Sequence, residues 1–265
     1  MEAVVSANQD LAHKPFGGVV PEIACRNHTL TILPLVEECF KKAGCGIGAI
    51  DGIVVTNRPG LVGSLLVGLV TAKSLALAWG KPFLGVNHLE AHLLAPFLRD
   101  EKYQPPKDFT FPFLALAISG GHTHLYKVES LGVYKILGRT LDDAAGEAFD
   151  KFGKMLGLGF PGGVAVDKMA KSGNPKAFQF PIGLKHQDNL NYSFSGLKTS
   201  AMRMIESLSD VEEKKADLCA SFQEAAVDAL LWKLQIAAAQ TRLRKVVLTG
   251  GVSANSRLRE KAQAL

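Results

Sequence analysis

Short apolar runs alternate with stretches of helical period along the whole chain. Ile32, Val36, Cys39, Phe40 and Ala43 fall three and four apart and mark one helix face, which Gly44 stops. The β-branched run 50–55 predicts a buried strand. A helix over 61–79, a strand over 83–86 and a helix over 88–98 are expected next. Strands over 111–118 and 122–128 flank Ser119-Gly120-Gly121, a hairpin with glycine where positive φ is needed. A helix over 142–156 leads into a glycine cluster at 157–163. A long helix spans 209–241, with Ser209 and Glu212 at capping-box spacing and Leu218, Phe222, Ala225, Ala229 and Trp232 as its apolar stripe. A strand over 245–248, a Gly250-Gly251 turn and a helix begun near Ala254 close the pattern. Mixed strands and helices predict an α/β protein with two lobes meeting near residue 110, one over 1–110 and one over 111–265.

Composition narrows the class. Of 265 residues, 47% are hydrophobic and 21% charged, which excludes a disordered chain. Cys25, Cys39, Cys45 and Cys219 are too few and too irregular for a disulfide framework or a CxxC zinc site, so free thiols are expected. The longest uncharged apolar run lies between Arg58 and Lys73, shorter than the ~20 residues a bilayer span needs. Met1-Glu2-Ala3-Val4-Val5 has no basic segment, so no signal peptide is expected. Lys and Arg exceed Asp and Glu by 30 to 25, a surplus that permits a nucleic-acid partner without establishing one.

Several motifs carry chemistry, each beside a plainer reading. His88 and His92 stand at i and i+4, so on a helix they share a face and suit joint metal ligation; two partly buried histidines at a helix start is the alternative. Glu90 falls on roughly the opposite face, poorly placed as the base of a metallopeptidase. In Ser119-Gly120-Gly121-His122-Thr123 the glycines let backbone amides approach an oxyanion, and Ser119 and Thr123 offer hydroxyls; an ordinary hairpin turn is the alternative. Thr249-Gly250-Gly251-Val252-Ser253-Ala254-Asn255 suits a phosphate or ribose, or simply a helix capped by Ser253 or Asn255. Asp142 and Asp143 fit the positive end of a helix, whereas Asp150 lies two turns further on. Arg242, Arg244, Lys245, Arg257, Arg259 and Lys261 face only Glu260 in the last stretch, a phosphate-binding face or a solvated one.

The order of these motifs is more telling than any one of them. Gly17-Gly18-Val19-Val20-Pro21-Glu22, Pro59-Gly60-Leu61-Val62-Gly63, His88-Leu89-Glu90-Ala91-His92, Ser119-Gly120-Gly121-His122-Thr123, Asp142 through Lys151, Phe194-Ser195-Gly196-Leu197-Lys198-Thr199 and Gly250-Gly251-Val252-Ser253-Ala254-Asn255 resemble, in this order, the TsaD family. The resemblance covers essentially the whole chain. It implies a two-lobed fold of the actin/Hsp70/sugar-kinase (ASKHA) type, with a glycine-rich substrate segment over 142–200 in the second lobe. It implies transfer of a threonylcarbamoyl group from threonylcarbamoyl-AMP to N6 of the adenosine beside the anticodon, in tRNAs reading codons that begin with A. By that likeness His88 and His92 bind a divalent metal, Fe(II), while Ala117, Ile118, Ser119, Gly120, Gly121, Asp150, Gly163, Asp167 and Asn255 contact the adenylate.

Implied partners are tRNA and TsaB- and TsaE-type subunits, in the cytoplasm and away from membranes. The family pattern also includes a first strand with a Gly-Ile-Glu-Thr-Ser-Cys-Asp-like loop and a late Thr-Asp-Asn-like segment. Neither is found here, so the expected fold is truncated at both ends and lacks the family's third metal ligand. A non-catalytic paralogue serving as a partner-binding scaffold is the alternative function, and a metallopeptidase a more distant one.

Overall fold

The computed structural model describes residues 2–99 and 103–265, so Met1 of the opening stretch lies outside it. The chain divides into two compact units, Met1–Pro105 and Pro106–Leu265.

The first unit contains α1 (Asp10–His13), α2 (Pro21–Ala43), β1 (Ile53–Arg58), α3 (Val62–Trp79), β2 (Phe83–Asn87) and α4 (His88–Leu94). β1 and β2 pair in parallel, Ile53 opposite Phe83 and Thr56 opposite Val86, with α3 as the crossover. Gly44 ends α2 in the left-handed region at φ 63°, but the helix begins well before Ile32, with Pro21 in its first turn, where a missing N–H costs nothing. β1 starts at Ile53, later than expected and after a 3-10 turn over Ile47–Ala49, and none of its residues is buried as the sequence predicts. α4 stops at Leu94, and a short 3-10 turn containing Pro96 follows it. Lys73 interrupts the apolar run but not the helix. α3 is therefore 18 residues long, enough by length and composition alone to cross a membrane.

The second unit contains β3 (Phe113–Ile118), β4 (Thr123–Ser130), β5 (Val133–Arg139), α5 (Ala145–Met155), α6 (Gly162–Ala170), α7 (Ser195–Ser207), α8 (Val211–Thr241), β6 (Val246–Thr249) and α9 (Ser256–Gln263). The sheet order is β5-β4-β3-β6. β3 is buried along its whole length, antiparallel to β4 and parallel to β6. Ala117 lies opposite Thr249, so β3 and β6 finish side by side and their following loops leave one edge of the sheet. Ligands of open α/β sheets gather at such carboxyl ends. Behind the sheet, Phe222 of α8 stacks on Phe152 of α5 at 3.9 Å between ring centres, and Phe149 meets Phe222 edge-on.

The sequence pattern does not anticipate β5, α6 or α7. α5 starts at Ala145, not at Asp142. The capping box expected at Ser209 and Glu212 does not form: Asp210 occupies the N-cap of α8 without a side-chain bond. Trp232 leaves the buried stripe, 41% exposed, with the Lys185 ammonium 5.5 Å from its ring centre.

Candidate functional site

Glycines let four backbone segments of the second unit crowd together. Gly250 has φ 89°, and a Cβ there would lie 2.4 Å from the Ile118 carbonyl oxygen. A Cβ on Gly146 would lie 2.6 Å from the Ser119 carbonyl oxygen, which accepts the Gly146 N–H instead. Around these contacts is a cleft of about 380 Å³, lined among others by Gly120, Asp150, Gly163, Asp167, Gly251 and Asn255. The β3–β4 turn, α5, the start of α6 and the loop after β6 thus contribute to one cavity.

The structure brings some expected residues to the cleft and keeps others away. Ala117 and Ile118 are buried within β3. Ser119 closes its own turn, its Oγ accepting the His122 N–H at 3.1 Å. Neither it nor Gly121 lines the cleft. Thr123 is wholly buried, and its Oγ1 accepts the Ala145 N–H at 2.9 Å, so it offers no hydroxyl to a ligand.

The acidic residues divide three ways. Asp150 Oδ1 accepts the Gly163 N–H at 3.1 Å, placing the carboxyl at the amino end of α6. Burial raises its pKa above the ordinary carboxylate value, against the lowering pull of the Gly163 and Gly162 amides. Asp167 Oδ1 accepts from the hydroxyl and backbone N–H of Ser256 at 2.7 and 3.2 Å, tying α6 to α9. Asp142 and Asp143 do not serve the start of α5, because that helix begins after them. Asp142 instead accepts the Phe194 N–H and the Ser193 hydroxyl at 2.8 and 2.6 Å, at the start of α7. Asp143 pairs with Lys151 and Lys198.

Asn255 serves two purposes. Its Oδ1 accepts the Leu258 N–H at 3.0 Å and caps α9, while its Nδ2 donates to Gln223 Oε1 at 2.7 Å. Sequence reasoning misses Gln223. Its one signal is a polar side chain on the buried side of α8. The basic stretch at the end of the chain is also more neutral than it reads. Arg257 pairs with Glu224 and Glu260, and Lys261 with Glu224 and Asp228. Those α8 carboxylates are distant in sequence and therefore invisible to a local count.

In the first unit, α4 carries both histidines, and Asn87 caps it by accepting the Leu89 N–H at 2.9 Å. The two Nε2 atoms lie 3.1 Å apart, one turn removed on the same face. Two converging imidazole nitrogens suit a shared divalent ion, and they equally suit a single N–H···N bond. No group of three or more His, Cys, Asp or Glu side chains gathers around a metal-sized site among the described residues.

Comparison with known proteins agrees with the fold and extends the reading. HypF of T. kodakarensis superposes with a TM-score of 0.61 at 13% identity, over 89% of this chain and 40% of that one. The (R)-2-hydroxyglutaryl-CoA dehydratase component A of Acidaminococcus fermentans superposes at 0.52 with 14% identity, over 88% and 74%. At such identities the likeness concerns fold alone, here a mixed α/β one. In sequence, the chain is 63% identical over 265 residues to the tRNA N6-adenosine threonylcarbamoyltransferase of Bdellovibrio bacteriovorus, covering 99% of this chain and 77% of that protein. It is 52% identical over 262 residues to the enzyme of the same name from Anaeromyxobacter dehalogenans, covering 98% and 76%. The family model for TsaD, tRNA N6-adenosine threonylcarbamoyltransferase, matches residues 2–265. This chain belongs to the TsaD family.

Proposed function

We propose that this acyltransferase moves a threonylcarbamoyl group from threonylcarbamoyl-AMP to N6 of adenosine in tRNA, and that the cleft of the second unit holds the adenylate. The observation that carries the adenylate reading is the convergence of Gly120, Asp150, Gly163 and Asn255 on one cavity at the ends of β3 and β6. Backbone amides at a glycine turn suit the phosphate. The second oxygen of Asp150 suits a ribose hydroxyl, since the first is held by Gly163. N6 attacks the carbamoyl carbon and gives up one proton to solvent, the bond from that carbon to the phosphate oxygen breaks, and AMP leaves with the bonding pair. The adenosine acted on is the one beside the anticodon in tRNAs reading codons that begin with A.

His88 and His92 would hold a divalent metal, Fe(II), through the nitrogens that converge on α4. A bound divalent ion supplies Lewis-acid polarisation of a carbonyl oxygen. TsaB- and TsaE-type subunits are the proposed partners and the cytoplasm the proposed compartment.

The test supplies purified protein with unmodified tRNA, threonylcarbamoyl-AMP, and TsaB- and TsaE-type subunits, and measures threonylcarbamoyladenosine by mass spectrometry. The expected result is modified tRNA, with the yield at least tenfold lower for Asp150→Ala. No product with the wild-type chain overturns the proposed activity. Full yield from Asp150→Ala overturns the proposed role of Asp150.

A further inference from the structure

Gln223 is 5% exposed on α8, between residues as apolar as Phe222, Ala226 and Val227. A buried amide needs a partner, and Gln223 has one in Asn255, 32 residues along the chain. The bond pattern fixes which way the Asn255 amide faces. Leu258 N–H is only a donor, so the oxygen of Asn255 must face it, and the nitrogen must then face Gln223 Oε1. An Asn nitrogen carries two hydrogens. Gln223 takes one, which leaves the other for a ligand in the cleft that Asn255 lines.

We propose that Gln223 is a positioning residue and that, by fixing the Asn255 amide, it selects ligands presenting an acceptor there, such as a ribose hydroxyl or a ring nitrogen of a nucleoside monophosphate. This rests on reading the cleft as the adenylate site. Gln223 touches no ligand itself. Its effect passes through one hydrogen bond, between two side chains that are each held by a helix: Gln223 within α8, Asn255 as the cap of α9.

The test titrates AMP into the full chain by calorimetry for wild type, Gln223→Met, Asn255→Ser and the double variant. Met keeps the length and removes the acceptor, while Ser keeps a helix-capping hydroxyl and removes the amide. Gln223→Met should weaken AMP binding about fivefold, what one hydrogen bond of ordinary net strength is worth. The double variant should bind no more weakly than Asn255→Ser alone, because Gln223 then has nothing to position. Losses that add, or a Gln223→Met protein that binds as wild type, overturn the inference while leaving the adenylate reading standing. Wild-type protein that binds no AMP overturns both. A measurement free of variants guards against a misfolded Gln223→Met. In the wild type, NMR should find one Asn255 side-chain amide hydrogen exchanging slowly before AMP is added, and the other shifting on its addition. Fast exchange of both, or no shift while AMP binds, also overturns the inference.

Discussion

Asp142 shows how a single side chain can act far from its neighbours in sequence. Its carboxylate supplies acceptors for the N–H groups of Phe194 and Ser195, 52 and 53 residues away, and for the Ser193 hydroxyl. Those N–H groups have no partner within α7, because a helix leaves its first amides unpaired. Asp142→Ala should therefore cost about 1 kcal/mol, the usual worth of a cap at an exposed site. Urea unfolding should show a lower midpoint with an unchanged slope, and an unchanged midpoint would mean that water replaces the carboxylate without loss. Site residues were legible in the sequence where their chemistry is local. The His88 and His92 pair follows from i, i+4 spacing; the Ser119–Gly121 turn joins β3 to β4 as expected, but neither Gly120 nor Gly121 takes the positive φ anticipated there. Asp142 was misread, and Gln223 missed, because the partner of each is supplied by tertiary packing.

At the scale of elements, Asp143 fastens two helices by one carboxylate. Its Oδ1 lies 2.8 Å from Lys151 of α5, and its Oδ2 lies 2.7 Å from Lys198 of α7. Burial by itself raises the Asp143 pKa, but the hydrogen bonds from Lys151 and Lys198 together outweigh it, and the carboxyl is held below the ordinary aspartate value. A folded pKa below the unfolded one contributes stability that is present above the unfolded value, near 3.9, and is lost as pH falls through the folded value. Asp143→Asn should thus be less stable than wild type by about 1–2 kcal/mol at pH 7. The gap should close as the pH falls below ~3.9. Chemical denaturation of both proteins from pH 7 to pH 2.5 measures it, and a gap constant with pH would show that the carboxylate charge is not what joins the helices. Long helices rich in apolar residues, such as α3 and α8, were readable within a residue or two. β5 and α7 were not. The outer strand β5 has an irregular register against β4, and the amino end of α7 is capped from a distant loop.

Across the whole molecule, apolar burial is unequal. Apart from Leu93, the largest fully buried side chains all lie in the second unit, among them Phe113, Phe149, Phe152, Phe194 and Phe222. Among the described residues, the buried hydrophobic side chains of the first unit are Ala24, Ala72, Ala76 and Leu93. An aromatic or leucine side chain gains about 1.5–3 kcal/mol on full burial, and alanine much less. The parallel pair β1–β2 has α3 as its crossover. Parallel sheets ordinarily bury both faces, yet Val54 and Leu84 of these strands are 62% and 59% exposed. Two strands with one open face are a weak cooperative unit. The first unit should therefore open at lower free energy than the second. Calorimetry should resolve two transitions, and hydrogen exchange should assign the earlier one: amides of β1, β2 and α3 should exchange well before those of β3, β4 and β6. AMP should raise the later transition more than the earlier one, because the cleft that would hold it belongs to the second unit. A single transition, or protection of β1 and β2 equal to that of β3, would mean that the apolar count does not set the order in which this chain comes apart.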